Sequence, residues 1–282
     1  MSIANTITQG ITLSNSGTYA SPLTITSTGY IDNTGTGNGI YGPNTAAWTV
    51  VNQGTIIATA GYGIDLARGG SVDNAGTGTL IQGYGGVVIK GTAGTVTNSA
   101  TIIGTGTTAS AAGVYLGAGG SVANTGAGGL IEGYGGVVIA GGGTVTNSAT
   151  IIGAGTAAAA GVYLKAGGLV ANDAGLIEGY GGVKITNSAG TVTNSATIIG
   201  TGTAASAAGV YLNAGGSVAN TGTGGLVQGY GGVVIAGSAG TVTNSSTIIA
   251  TGTAAAAGVY LNAGGLVAND AGLIEGYGGV KI

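Results

Sequence analysis

Cysteine, histidine and phenylalanine are absent from this chain. Without cysteine there is no disulfide, no thiolate metal site and no cysteine nucleophile, and the redox compartment is left open. Without histidine a Ser-His-Asp nucleophile system cannot be assembled. Charge is nearly as scarce. The 282 residues include 5 Lys and Arg and 8 Asp and Glu, where about a quarter of an ordinary globular protein is charged. Cations so few and so scattered form no basic patch, which argues against nucleic acid and against anionic membrane surfaces as partners. Long apolar runs are missing as well. Hydrophobic residues make up 44% of the chain, but glycine breaks them every few residues, and no run reaches the ~18 residues that suggest a membrane-spanning helix. The opening Met1-Ser2-Ile3-Ala4-Asn5 has neither the basic residues nor the apolar run of a signal peptide.

What is present is repetition. One circuit reads Gly113-Val114-Tyr115-Leu116, then Gly120-Ser121-Val122-Ala123-Asn124, then Leu130-Ile131-Glu132-Gly133, and begins again at Val137. The first apolar residue of each circuit falls at Ile40, Ile64, Val87, Val114, Val137, Val162, Val183, Val210, Val233, Val259 and Val280, a mean period of 24 residues. Three short apolar pieces per circuit, separated by Gly, Ser, Thr and Asn, predict three strands and three turns per coil of a stacked solenoid. Alternate coils differ. Gly-Val-Tyr-Leu begins at Gly113, Gly161, Gly209 and Gly258, and Gly-Tyr-Gly-Gly-Val begins at Gly83, Gly133, Gly179, Gly229 and Gly276, so the full repeat is a double coil. Residues 161–185 and 258–282 differ only at Lys165 and Asn262. That is the mark of block duplication, which is tolerated where each coil needs only to match its neighbour.

Residues 1–39 keep the period poorly. Ser2-Ile3-Ala4-Asn5 looks like Ser121-Val122-Ala123-Asn124, and Leu13-Ser14-Asn15 and Ile31-Asp32-Asn33 carry the same apolar-x-Asn signature, but their spacing leaves the register open. Pro22, Pro43 and Trp48 fall in or just after this stretch, and proline cannot donate to a strand ladder. The expectation is an irregular N-terminal coil region over 1–39 and a regular solenoid of ten to eleven coils over 40–282.

Alternation assigns the faces. In Val114-Tyr115-Leu116 the outer members point inward and Tyr115 outward; Val122 points inward and Ala123 outward. In Ile102-Ile103 and Leu130-Ile131 two adjacent apolar residues cannot both point in, and either orientation is open. The alanine runs Ala157 to Ala160 and Ala254 to Ala257 are too short to nucleate a helix and read as loops or corners. Stacked at ~4.8 Å, eleven coils make a rod of roughly 50 Å.

One asparagine closes each second strand: Asn52, Asn74, Asn98, Asn124, Asn147, Asn172, Asn194, Asn220, Asn244 and Asn269. Asparagine suits turns, and stacked amides pass hydrogen bonds along an axis, so this column reads as structural. A ligand-binding role would require the side chains to face outward. Tyr115, Tyr163, Tyr211 and Tyr260 form a second column, a possible surface contact, and Tyr84, Tyr134, Tyr180, Tyr230 and Tyr277 a third. Members recur every second coil, ~9.6 Å apart, so neither set is a continuous stack. Such rings serve as platforms for sugars or as covers over glycine-rich backbone. The carboxylates Glu132, Glu178 and Glu275 alternate with Gln82 and Gln228, and Asp173/Glu178 and Asp270/Glu275 are local pairs that duplication explains better than an active site does. General acid–base chemistry needs two carboxyls at close range. No calcium-loop pattern and no phosphate loop occurs, so no catalytic residue, metal or cofactor is expected.

The Gly-Val-x-Leu, Val-x-Asn and Ile-x-Gly pieces resemble, over about residues 30–282, the repeat regions of bacterial autotransporter passengers and related surface adhesins. The resemblance implies a right-handed parallel β-helix outside the cell or on a bacterial surface. Members of that family include adhesins, proteases and passive stalks, so fold does not choose among them. The expected protein is an all-β, non-enzymatic structural rod. It ends one strand into a coil, at Gly279-Val280-Lys281-Ile282, and begins with a piece like the next strand. That arrangement predicts head-to-tail association with itself into fibres. The alternative is an adhesin fragment that binds cell-surface glycans, or host or abiotic surfaces. Ice binding through Thr95-Val96-Thr97 and its repeats is a third reading, weakened because Ser-Val-Ala or Leu-Val-Ala interrupts the threonines in alternate coils.

The inside–outside assignment is testable. Val210→Asp buries an unpaired carboxylate among apolar columns and should cost several kcal/mol, whereas Tyr211→Ser, one residue on, should leave the fold intact. Hydrogen exchange on the two variants decides, and equal protection in both refutes the assignment.

Overall fold

The computed structural model describes residues 1–156, 159–204, 206–253 and 256–282. Among them there is no helix, and therefore none long and apolar enough to cross a membrane. Strands fall into three sheets, and the chain visits them in a fixed order. It passes through an asparagine sheet (as at Gly120–Asn124), a glutamate sheet (as at Leu130–Gly133) and a tyrosine sheet (as at Val137–Ile139), then returns to the first. Each sheet holds 12 strands, and every strand pairs in parallel with its counterparts in the coils before and after. The molecule is thus a parallel β-solenoid. Eleven spacings of ~4.8 Å give a stack of about 53 Å.

Period-2 alternation puts the core where it belongs. Val114 and Leu116 are fully buried and Tyr115 is half-buried; Val122 is buried and Ala123 is not. The adjacent apolar pairs are resolved by pairing between coils: Ile102 lies opposite Ile131 and Ile103 opposite Glu132. Inward residues therefore form one column, Ile56, Ile81, Ile102, Ile131, Ile151, Ile177, Ile198, Val227 and Ile248, all completely buried. The inward member is the first of Ile-Ile and the second of Leu-Ile. Tight corners need glycine: Gly119 and Gly120 have φ of 93° and 128°, and a Cβ on Gly120 would lie 1.9 Å from the Gly94 carbonyl oxygen.

The first 39 residues join the same three sheets, and their register corrects the likeness seen in the sequence. Ile3 lies opposite Ile25, and Ile25 opposite Asn52. Hence Ile3, not Asn5, occupies the asparagine position, two residues from where Ser2-Ile3-Ala4-Asn5 suggests. The other two look-alikes fall on other sheets. Ile31-Asp32-Asn33 belongs to the glutamate sheet, and Leu13 follows Ile11–Thr12 of the tyrosine sheet, its N–H donating to the Tyr41 carbonyl at 2.8 Å. A three-residue pattern carries too little information to choose among three similar strands; cross-coil hydrogen bonding makes the choice. Of the alanine runs, Ala157, Ala158, Ala254 and Ala255 lie outside the described residues. Ala160 opens the strand Ala160–Leu164, and Ala159, Ala160, Ala256 and Ala257 are buried.

Trp48 fits the regular stack through an exchange of volume. In later coils the last inward residue of the tyrosine sheet is large and the first residue of the following asparagine strand is glycine, as with Ile89 and Gly94, where a Cβ on the glycine would lie 2.7 Å from the isoleucine. Near the N-terminus the sizes are inverted. Trp48 stands opposite Gly70, Gly42 stands opposite Leu66, and a Cβ on Gly42 would lie 2.6 Å from the indole. The indole N–H donates to the Pro43 carbonyl at 2.7 Å. We expect Trp48→Gly to cost about 3–5 kcal/mol through the cavity it leaves and Gly42→Ile to cost about 1–3 kcal/mol through overpacking. The double variant, which restores the size order of the later coils, should recover most of the loss. Thermal unfolding checks this, and a double variant less stable than the sum of the singles contradicts it.

Candidate functional site

The asparagine column points inward. Asn52 through Asn244 are at most 2% exposed, because each stands two residues beyond an inward valine on the same strand. Buried amides must find partners, and these find one another. Asn52 Nδ2 donates to Asn74 Oδ1 at 2.8 Å, Asn74 to Asn98 at 2.7 Å, Asn98 to Asn124 at 2.8 Å and Asn124 to Asn147 at 2.9 Å. The chain of bonds continues through Asn172, Asn194, Asn220 and Asn244 to Asn269. All run the same way, from one coil to the next. The Nδ2 group also donates to a carbonyl at the start of the next coil's glutamate strand, as Asn124 does to Thr150 at 2.9 Å. Oδ1 accepts the backbone N–H two residues on, as from Ala100 to Asn98 at 3.4 Å. One side chain thus closes its own corner and clamps the coil above. Below Asn52 the column is filled by Ile25 and Ile3, so the ladder starts on an apolar plug.

Tyr115, Tyr163, Tyr211 and Tyr260 face outward on the tyrosine sheet, with Val138, Lys184 and Val234 between them in register. Val138 is only 7% exposed although it points outward. Ammonium groups occupy part of this surface: Lys165 and Lys184 lie 5.4 and 5.1 Å from the Tyr163 ring centroid, and Lys281 lies 4.8 Å from that of Tyr260. Each is within cation–π range. The third tyrosine set does different work. Tyr84, Tyr134, Tyr180 and Tyr230 lie against Gly106, Gly155, Gly202 and Gly252 of the following coil, where an added Cβ would come within 2.8 Å of the ring. They cover glycine backbone. Tyr84 also bonds Ser110 and Thr108, whose hydroxyls lower its phenol pKa below the ordinary value.

The carboxylates do not converge. Glu132, Glu178 and Glu275 project from the glutamate sheet, and the coil between one acidic or amide position and the next carries Ile152, Ile199 or Ile249 there. An open groove runs past Glu132, Tyr134 and Thr105. Among the described residues no three Asp or Glu side chains gather as they would around a metal ion. One pair escaped sequence reasoning: Lys90 Nζ lies 3.0 Å from Asp65 Oδ1 and 3.1 Å from Oδ2, with Asn38 donating to Oδ2 at 3.4 Å. Asp65 is 7% exposed, so the ammonium offsets the cost of burying its charge. A spacing of about one period between the two residues was the available signal.

The chain matches no family model, and no curated protein or solved structure is significantly similar to it.

The ladder generates its own test. Asn147→Ile removes an interior member and strands both the Asn124 donor and the Asn172 acceptor; each buried unsatisfied group costs about 1–3 kcal/mol. Asn52→Ile only moves the apolar plug up by one coil: both changes free the backbone N–H two residues on, Gly54 or Ala149, but within the ladder this one strands the Asn74 acceptor and no donor, so a smaller loss is expected. Chemical denaturation compares them, and equal losses would mean that the amides act singly rather than as a chain.

Proposed function

We propose that this protein is a non-enzymatic structural element of a cell surface or extracellular matrix, a rod whose task is to hold its shape and span a distance. The observation that carries the proposal is the ladder of nine amide bonds running in one direction through the core from Asn52 to Asn269. It repeats one contact between successive coils from Asn52 to Asn269, and among the described residues nothing comparable in regularity is aimed at a ligand. Catalysis finds no support: the carboxylates of the glutamate sheet alternate with isoleucine, and the buried Asp65 is matched by a lysine. Coil-on-coil pairing is open-ended, since every rung offers its successor the same parallel hydrogen-bonding edge. Chains built of this repeat therefore continue one another's sheets head-to-tail and lengthen the rod into fibres.

Electron microscopy and small-angle scattering of the purified chain test the reading. Stiff rods of about 53 Å, or unbranched fibres with a ~4.8 Å axial repeat, are expected. A flexible or globular particle, specific retention on a glycan array through the tyrosine faces, or thermal hysteresis from the threonine rows would each refute it.

A further inference from the structure

The few charges are sorted around the perimeter of the rod. Every cation of the chain lies on the tyrosine sheet or just after one of its strands: Lys184 and Lys281 within strands, Lys90 and Lys165 directly after them, and Arg68 two residues on. Of the eight acidic residues, seven lie on the other two sheets or at the bend between them. The exception, Asp65, is paired with Lys90. Between its charges the glutamate sheet presents half-buried Leu130, Ile152, Leu176 and Ile199, and the tyrosine sheet presents Tyr163, Tyr211 and Val234. One face is thus basic and apolar, another acidic and apolar, on the same molecule.

We propose that rods associate side by side, the tyrosine sheet of one copy docking on the glutamate sheet of the next, parallel and without stagger. Among the arrangements that set both lysines against carboxylates, this one overlaps the most coils. Glu178 and Lys184 belong to one coil, and Glu275 and Lys281 to another four coils further on. With axes parallel and ends level, Lys184 meets Glu178 of the neighbour and Lys281 meets its Glu275. A stagger of one coil sets Lys184 against isoleucine and Lys281 against isoleucine or past the neighbour's last coil, and a stagger of two that keeps Lys184 against a carboxylate, Glu132, brings Lys281 against Gln228. An antiparallel pair matches both lysines over the last five coils, with Glu275 and Glu178, or over eleven coils, with Glu132 and Asp32; the disulfide test below separates both from the level parallel pair. Full overlap covers about 53 Å by about 13 Å, roughly 700 Å² on each partner, and roughly 1,400 Å² in total is within the range of specific interfaces. The contact joins two different faces, so it leaves each copy with one face free and propagates laterally.

Sedimentation velocity of the full chain at low salt should show species broader than single rods or end-joined fibres. They should dissociate near 1 M salt, where the screening length falls to about 3 Å. Reversing one face, with Lys184→Glu and Lys281→Glu together, or the other, with Glu178→Lys and Glu275→Lys together, should weaken association by about tenfold or more. Mixing the two reversed chains, or carrying all four changes on one chain, should restore it. That rescue excludes misfolding as the cause. Because the chain has no cysteine, Tyr211→Cys and Ile199→Cys, which lie in one coil on opposite partners of the proposed contact and fall at least two coils apart in either antiparallel pair, report its geometry. Oxidising a mixture of the two single variants should give mainly the mixed dimer. Single rods at every salt concentration, reversed charges without effect, absence of rescue, or equal yields of all three disulfide dimers would overturn the proposal.

Discussion

A buried amide carries two donors and an acceptor, and in this solenoid its own corner satisfies part of them and the neighbouring coils the rest. That requirement shapes everything around it. It fixes the asparagine at the same step of every circuit, so the strands on either side must begin and end in register. It draws the corner between two sheets closed, and it penalises any coil that slips. Hydrophobic columns alone would tolerate sliding, because Val, Ile and Leu are interchangeable in a general way. The amide ladder is directional and is not interchangeable with them. Its lower end is instructive. Where Ile25 and Ile3 replace asparagine, the strands shorten to two or three residues and the sequence pattern dissolves, although the three sheets persist.

Much of this architecture was legible in the chain. Period, strand count, the inward direction of Val114 and Leu116, and the recurrence of asparagine all follow from the alternation of apolar and small polar residues, which is local information. What stayed hidden was whatever depends on the coil above or below. Ile102 and Ile103 are indistinguishable within their own strand; only opposition to Ile131 and Glu132 tells them apart. Ile3 and Asn5 compete for one column on equal terms until Ile25 is placed. The exchange of sizes between Gly42 and Trp48 and the ion pair of Asp65 with Lys90 are likewise contacts between segments that the sequence separates.

The outward faces follow a looser rule. Side chains there meet solvent and their own neighbours along the sheet, so composition drifts: threonine alternates with serine or alanine, isoleucine with glutamate or glutamine, tyrosine with valine or lysine. Drift of that kind permits a protein to acquire different surfaces on the same frame. The interior tells what keeps the rod together, and the three exteriors tell what it can meet.

The corner tyrosines give the rod a unit of growth. Tyr84, Tyr134, Tyr180 and Tyr230 each need a glycine in the coil that follows, and the coils that supply those glycines bring the Gly-Val-Tyr-Leu strand instead. Lengthening by two coils inserts one tyrosine and one glycine and leaves every such contact matched. Lengthening by one sets ring against ring, as Tyr62 and Tyr84 already meet edge to face with centroids 6.2 Å apart, or leaves a glycine bare. From Tyr84 onward, length in this molecule therefore follows a two-coil step. Along that stretch the rod is a ruler marked at every second division.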